Sequence, residues 1–135
     1  MNHHVETLCR QHDELRGLAA DYERELDKPG PDLAALATCR WKLARLVSTH
    51  IAYERTYLYA VLAGRGDTTG LQLGEQLGTL ADKLSAHVRD WTASAIADEW
   101  AGYGRASRTL MKVLRGHMDR EESELYPRLL KANAA

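Results

Sequence analysis

The sequence lacks any charge excess: 18 Lys and Arg stand against 19 Asp and Glu, a formal net charge of -1. A nucleic-acid binder normally carries a basic surplus or stripe, so that class is set aside. No apolar stretch approaches the length needed to span a bilayer. The opening residues, MNHHVETLCRQHDEL, show no basic start followed by an apolar run, so no secretory signal is read there. Cysteine is scarce, and Cys9 and Cys39 alone make neither a disulfide framework nor a zinc motif. Strand signal is almost missing as well. These absences leave a soluble chain, expected to be cytoplasmic, whose 135 residues suffice for one domain with one core.

What is present is helical. Pro29-Gly30-Pro31 stops one segment and Pro31-Asp32 starts the next, while residues 64–70 (GRGDTTG) form a loop by composition. A third break falls between Ala97-Asp98 and Gly102-Tyr103-Gly104. Apolar residues recur at alternating steps of three and four: Val5, Leu8, His12, Leu15, Ala19, Tyr22 and Leu26 in the first segment. Leu36, Leu43, Val47, His50, Glu54, Tyr57 and Val61 follow in the second, with Arg40 a poor fit, and Leu73, Leu77, Leu80, Leu84, His87 and Trp91 in the third. Leu110, Leu114, His117, Glu121 and Leu125 share a face of the fourth. The expectation is an all-α, up-down-up-down antiparallel four-helix bundle over residues 1–135, with helices at about 3–27, 32–63, 71–100 and 104–131.

Each segment places one histidine on its apolar seam: His12, His50, His87 and His117. A lone core histidine is ordinarily a hydrogen-bonded packing residue; one per helix makes four accidents a poor account. His50 and His117 also carry Glu54 and Glu121 one turn on, and an i, i+4 pair shares a helix face. Two unpaired buried carboxylates would cost several kcal/mol each, which a cation would offset. Heights agree: residues equidistant from a turn lie level in antiparallel helices. The His12–His50 midpoint is 31, the His50–His87 midpoint lies between 68 and 69, and the His87–His117 midpoint is 102, each inside a break. All four histidines are therefore expected in one layer. The same rule puts Cys9 and Cys39 about 20 Å apart along the helix, too far to bridge.

Imidazole with carboxylate suits iron, with manganese or zinc as substitutes, better than structural zinc, calcium or magnesium. Glu-x-x-His, the ferritin-like di-iron motif, is missing, since Cys9, Val47, Leu84 and Leu114 stand three before the histidines. The ordered set resembles the hemerythrin-like family, with histidine on helix one, His-x-x-x-Glu on helices two and four, and histidine on helix three. Gln11-His12-Asp13-Glu14-Leu15 and residues 121–127 (EESELYP) look like that family's first- and fourth-helix signatures. The resemblance implies two iron ions in an oxo- or hydroxo-bridged centre, bridged by Glu54 and Glu121. It implies His12 and His50 on one iron, His87 and His117 on the other. Glu122 and Glu124 are read as solvated. Oxygen carriers of the family have a second helix-three histidine where this chain has Trp91. Two histidines per iron favour redox chemistry or sensing over reversible carriage.

Tyr53 is carried as an additional ligand or hydrogen-bonding neighbour, against the plainer reading of a residue flanking the seam. Tyr22 and Tyr57 are read as core or second-layer donors, Tyr59 as a surface or interface residue, and Met111 and Met118 as packing. Three functions follow: binding or sensing of oxygen, nitric oxide, peroxide or iron; a catalase-like or peroxidase-like di-iron enzyme; and an iron donor for iron–sulfur repair. A bundle that binds no metal is the bland alternative. Acid–base groups beyond the ligands are not evident, which counts against the enzyme. Oligomeric state is not fixed by the sequence.

Overall fold

The computed structural model describes residues 2–134, and the side chains of residues 2–131. Helix α1 (His3–Leu26) starts where the Asn2 side chain accepts from the His4 and Val5 amides. Its seam residues Val5, Leu8, His12, Leu15, Ala19, Tyr22 and Leu26 are all buried, the face the heptad spacing marks. After the Pro29-Gly30-Pro31 break, Asp32 caps α2 (Leu33–Glu54) by accepting from Ala35 N. That helix runs on without a break through a π-helical turn (Arg55–Tyr59) into α3 (Ala60–Gly64). Gly66, at φ 67°, and Asp67, which accepts from Gly70 N, turn the chain into α4 (Thr68–Asp90). Gly70 lets α4 approach closely: a Cβ there would stand 2.9 Å from Leu62 Cβ.

The last connection differs from expectation. Helix α4 ends at Asp90, Thr92 caps a short α5 (Ala93–Asp98) through Ala95 N, and α6 begins at Trp100. Gly102 and Gly104, read as part of a break, lie inside α6 (Trp100–Arg120). A second π-helical turn (Glu121–Leu125) leads into α7 (Tyr126–Ala134). The result is four long rods in an all-α bundle, with no strand among the described residues. Its core is built from Leu8, Leu15, Leu58, Leu62, Leu73, Met111, Met118 and Leu125, each at most 2 % exposed.

Where the third turn falls decides what is level with what. Ser107 meets His87 at 2.9 Å and Arg120 reaches Gln76 at 3.1 Å, pairs whose midpoints are 97 and 98 rather than 102. The seam of α4 also opens toward its end. Leu73, Leu77 and Leu80 are buried, whereas Leu84, His87 and Trp91 are only half-buried.

Candidate metal centre

His12, from the middle of α1, and His50 and Glu54, from the last turns of α2, converge with Glu121, which opens the second π turn. One ligand atom from each lies within 4.8 Å of all the others. Glu54, Glu121 and His12 are fully buried, and His50 is 3 % exposed. The Nε2 atoms of His12 and His50 are 3.1 Å apart, His12 Nε2 is 3.1 Å from Glu121 Oε1, and His50 Nε2 is 2.8 Å from Glu54 Oε1. His117 adjoins the group, with Nε2 at 3.3 Å from Glu121 Oε2.

The outer ring nitrogens fix the tautomers. His12 Nδ1 donates to Glu122 Oε2 at 2.6 Å, and His50 Nδ1 donates to the Gln11 side-chain oxygen at 2.7 Å. With Nδ1 donating outward, each ring turns its Nε2 inward. Facing those nitrogens are two carboxylates, and neither oxygen of Glu54 has a hydrogen-bond partner. Among the described residues, Tyr59, donating to Glu121 Oε2 at 2.5 Å, and Tyr126, donating to His12 Nε2 at 3.0 Å, bring protons inward. So many acceptors aimed at one point repel one another unless a cation sits among them.

Titration follows from the same crowding. Burial, reinforced by the neighbouring His12 and His117 rings, pushes His50 down to about 3 against the pull of the Glu121 carboxylate, so the ring stays neutral and able to ligate. Burial, reinforced by Glu121 beside it, raises Glu54. Burial also opposes the Glu121 charge, but its contacts with Glu54, His117 and His12 outweigh that and hold it ionised.

Of the residues marked from sequence, the structure brings together His12, His50, Glu54, His117 and Glu121. His87 is elsewhere. With the turn centred at 97–98, the residues of α4 level with His117 are Leu77 to Thr79, and His87 lies eight to ten residues beyond, about 12–15 Å along the axis. There Tyr103 donates to Tyr22, Tyr22 to Ser107 Oγ, and Ser107 to His87 Nε2, while the His87 ring stacks on Tyr103. Tyr53 is not at the centre either: its hydroxyl meets His4 Nδ1 at 2.7 Å, beside Tyr57. Glu122, expected in solvent, instead bridges His12 and Arg16, the latter at 2.7 Å. Such an outer carboxylate orients a ligating imidazole and raises its basicity.

Tyr59 and Tyr126 were missed, Tyr59 having been read as a surface or interface residue although it is buried in the core. Each stands five residues after a glutamate, at Glu54 and Glu121. In an α-helix a step of five points well away from the starting face; the wider π turn returns it there. The spacing His-x-x-x-Glu-x-x-x-x-Tyr, present at His50/Glu54/Tyr59 and again at His117/Glu121/Tyr126, was the available signal. Both π turns begin at or just after the glutamate, consistent with the tendency of such turns to occur at functional sites.

A buried histidine–glutamate cluster inside an all-α bundle defines a class of cation-binding helical proteins. The hemerythrin HHE cation-binding domain matches residues 3–129, and the chain belongs to that family. No curated protein and no solved structure matches it.

Proposed function

We propose that this chain is a non-haem iron protein that binds or senses a small ligand: dioxygen, nitric oxide or peroxide. One observation supports it above others: the fully buried Glu54 carboxylate, without a hydrogen bond, faces two imidazole lone pairs. Imidazole–carboxylate sets suit iron. His12, His50, Glu54 and Glu121 would hold one ion. His117 and the second oxygen of Glu121, with the Tyr59 hydroxyl 3.1 Å from His117 Nε2, would hold the other. Iron supplies reversible redox chemistry and exchangeable positions for a small ligand.

The chain's own groups do the rest. The buried residues of α4 at this level are Leu77 and Leu80, and among the described residues no His, Asp or Glu of α4 joins the cluster. A cleft of about 390 Å³ between α4 and α6 reaches His117 past Leu80 and Val113 and gives a small molecule a way in. Gln11 and Glu122 hold the two imidazoles in their ligating tautomers, and the apolar core excludes bulk water.

The peroxidase-like reading has one observation in its favour. Tyr59 and Tyr126 place hydroxyl donors against Glu121 and His12 from opposite rods. Deep burial of the ligands argues against the iron-donor role.

Iron per chain, measured with the visible spectrum after anaerobic ferrous loading and again after oxidation, tests the proposal. Two irons with bands of a coupled ferric pair are expected, falling toward one in His117→Ala. Rapid peroxide turnover, lost in Tyr59→Phe, would shift the assignment to the enzyme. Failure to take up iron would reduce the cluster to a structural one.

A further inference from the structure

A second cavity, separate from the metal centre and from its entry cleft, opens between α2 and α4. It is a cleft of about 570 Å³, within the range of small-molecule sites. Its walls are apolar: Leu43, Val47 and Ile51 from α2, Leu84 from α4 and Met111 from α6. From Leu43 to Ile51 these cover eight residues of helix, or about 12 Å. Charged groups lining it are Arg40, Arg55 and Arg89, with half-buried His87 beside Arg40 and no carboxylate. Arg89 pairs with Asp90 at 3.0 Å, and Arg55 is exposed. Arg40 is not paired with an acid among the described residues. One of its terminal nitrogens donates to the Val88 and Trp91 carbonyls, and its Nε–H is buried without an acceptor.

A half-buried guanidinium left without an anion, at one end of an apolar trough, is an unfinished ion pair. Arg is rigid and forked, suited to gripping a carboxylate. The neighbouring groups cannot supply that charge: Tyr22 is driven up by burial and the nearby Tyr103, so it stays a neutral phenol, and His87 is held neutral by burial and by Arg40 itself. We propose that this cleft binds an amphipathic monocarboxylate, a fatty acid of medium chain length, with its head on Arg40 and its chain along Leu43, Val47 and Leu84. A second copy of this chain is the less fitting occupant, because the one buried unsatisfied group in the lining, among the described residues, is the Arg40 Nε–H. The inference does not rest on the metal reading.

The test uses the full chain without metal and sodium dodecanoate as probe. Binding is followed by calorimetry and by the fluorescence of Trp91, whose carbonyl Arg40 holds. One dodecanoate per chain is expected, with dodecanol at least about tenfold weaker, since a charge-assisted hydrogen bond is lost. Arg40→Met should weaken dodecanoate by about tenfold or more for the same reason. Ser48→Trp, at an exposed position on the cleft wall, should block the chain without touching Arg40, and it decides the matter should Arg40→Met fold poorly. Absence of saturable binding, equal binding of dodecanol, or unchanged affinity in folded Arg40→Met or Ser48→Trp would each overturn the proposal. So would self-association of the chain that dodecanoate does not compete with, which would assign the cleft to a second copy.

Discussion

Glu122 shows how much a single side chain outside the ligand cluster can decide. It accepts from His12 Nδ1 and is itself held by Arg16, so it orders the imidazole without meeting the ion. Glu122→Gln should lower metal affinity by about 10- to 100-fold with little change in helicity, as competition with a chelator would show. Glu54 and His50 make a second prediction, in which the signs oppose. His50 has its pKa lowered on folding to about 3, so its contribution to stability is present above about pH 6.5 and is lost as pH falls toward 3. Glu54 is raised, so its contribution is present below about pH 4.3 and is lost as pH rises through its folded value. Between those limits the two slopes offset each other in the metal-free chain. Urea unfolding of Glu54→Gln should then expose the His50 slope, about 1.4 kcal/mol per pH unit between roughly pH 4.3 and 6.5. A profile as flat as the parent's would contradict the assignment.

Helix α4 is where expectation and structure part. His87→Ala should leave the metal content of the loaded protein unchanged and cost about 1 kcal/mol of stability, since it removes the hydrogen bond from Ser107. Loss of metal in that variant would return His87 to the centre. The first two turns were readable because Pro29, Gly30, Pro31 and Gly66 interrupt helices by backbone chemistry alone. They placed His12 opposite His50, whose Nε2 atoms indeed meet at 3.1 Å. The third turn was not readable in that way. Two glycines drew the break to 102–104, whereas α4 ends at Asp90 and Thr92 caps the start of α5, with no glycine or proline beside it. Five residues of error in the turn's centre became ten along α4, enough to carry His87 out of the layer. The tyrosines were hidden for another reason: a seam drawn at α-helical pitch cannot see a π turn, and Tyr57 rather than Tyr59 fell on it.

At the scale of the bundle, the cation would act as a rivet across three rods, since its ligands come from α1, α2 and the rod of α6 and α7. Metal binds only where those rods are assembled. At free metal one hundred times its Kd, it should therefore add about 2.7 kcal/mol to stability, raising Tm by roughly 10 °C for a chain of this size. Thermal unfolding with and without chelator measures it; equal midpoints would mean the cluster does not hold metal in the folded state. The two π turns carry one more consequence. Each adds a single residue to an otherwise regular rod, so a deletion on its exposed side, at Thr56 for instance, converts the wide turn to an ordinary one. The residues beyond it, Leu58 and Leu62 among them, keep the core positions they already hold. A one-residue deletion, which elsewhere would rotate a helix's apolar face away from its neighbours, is in these two places absorbed by slack already present in the backbone.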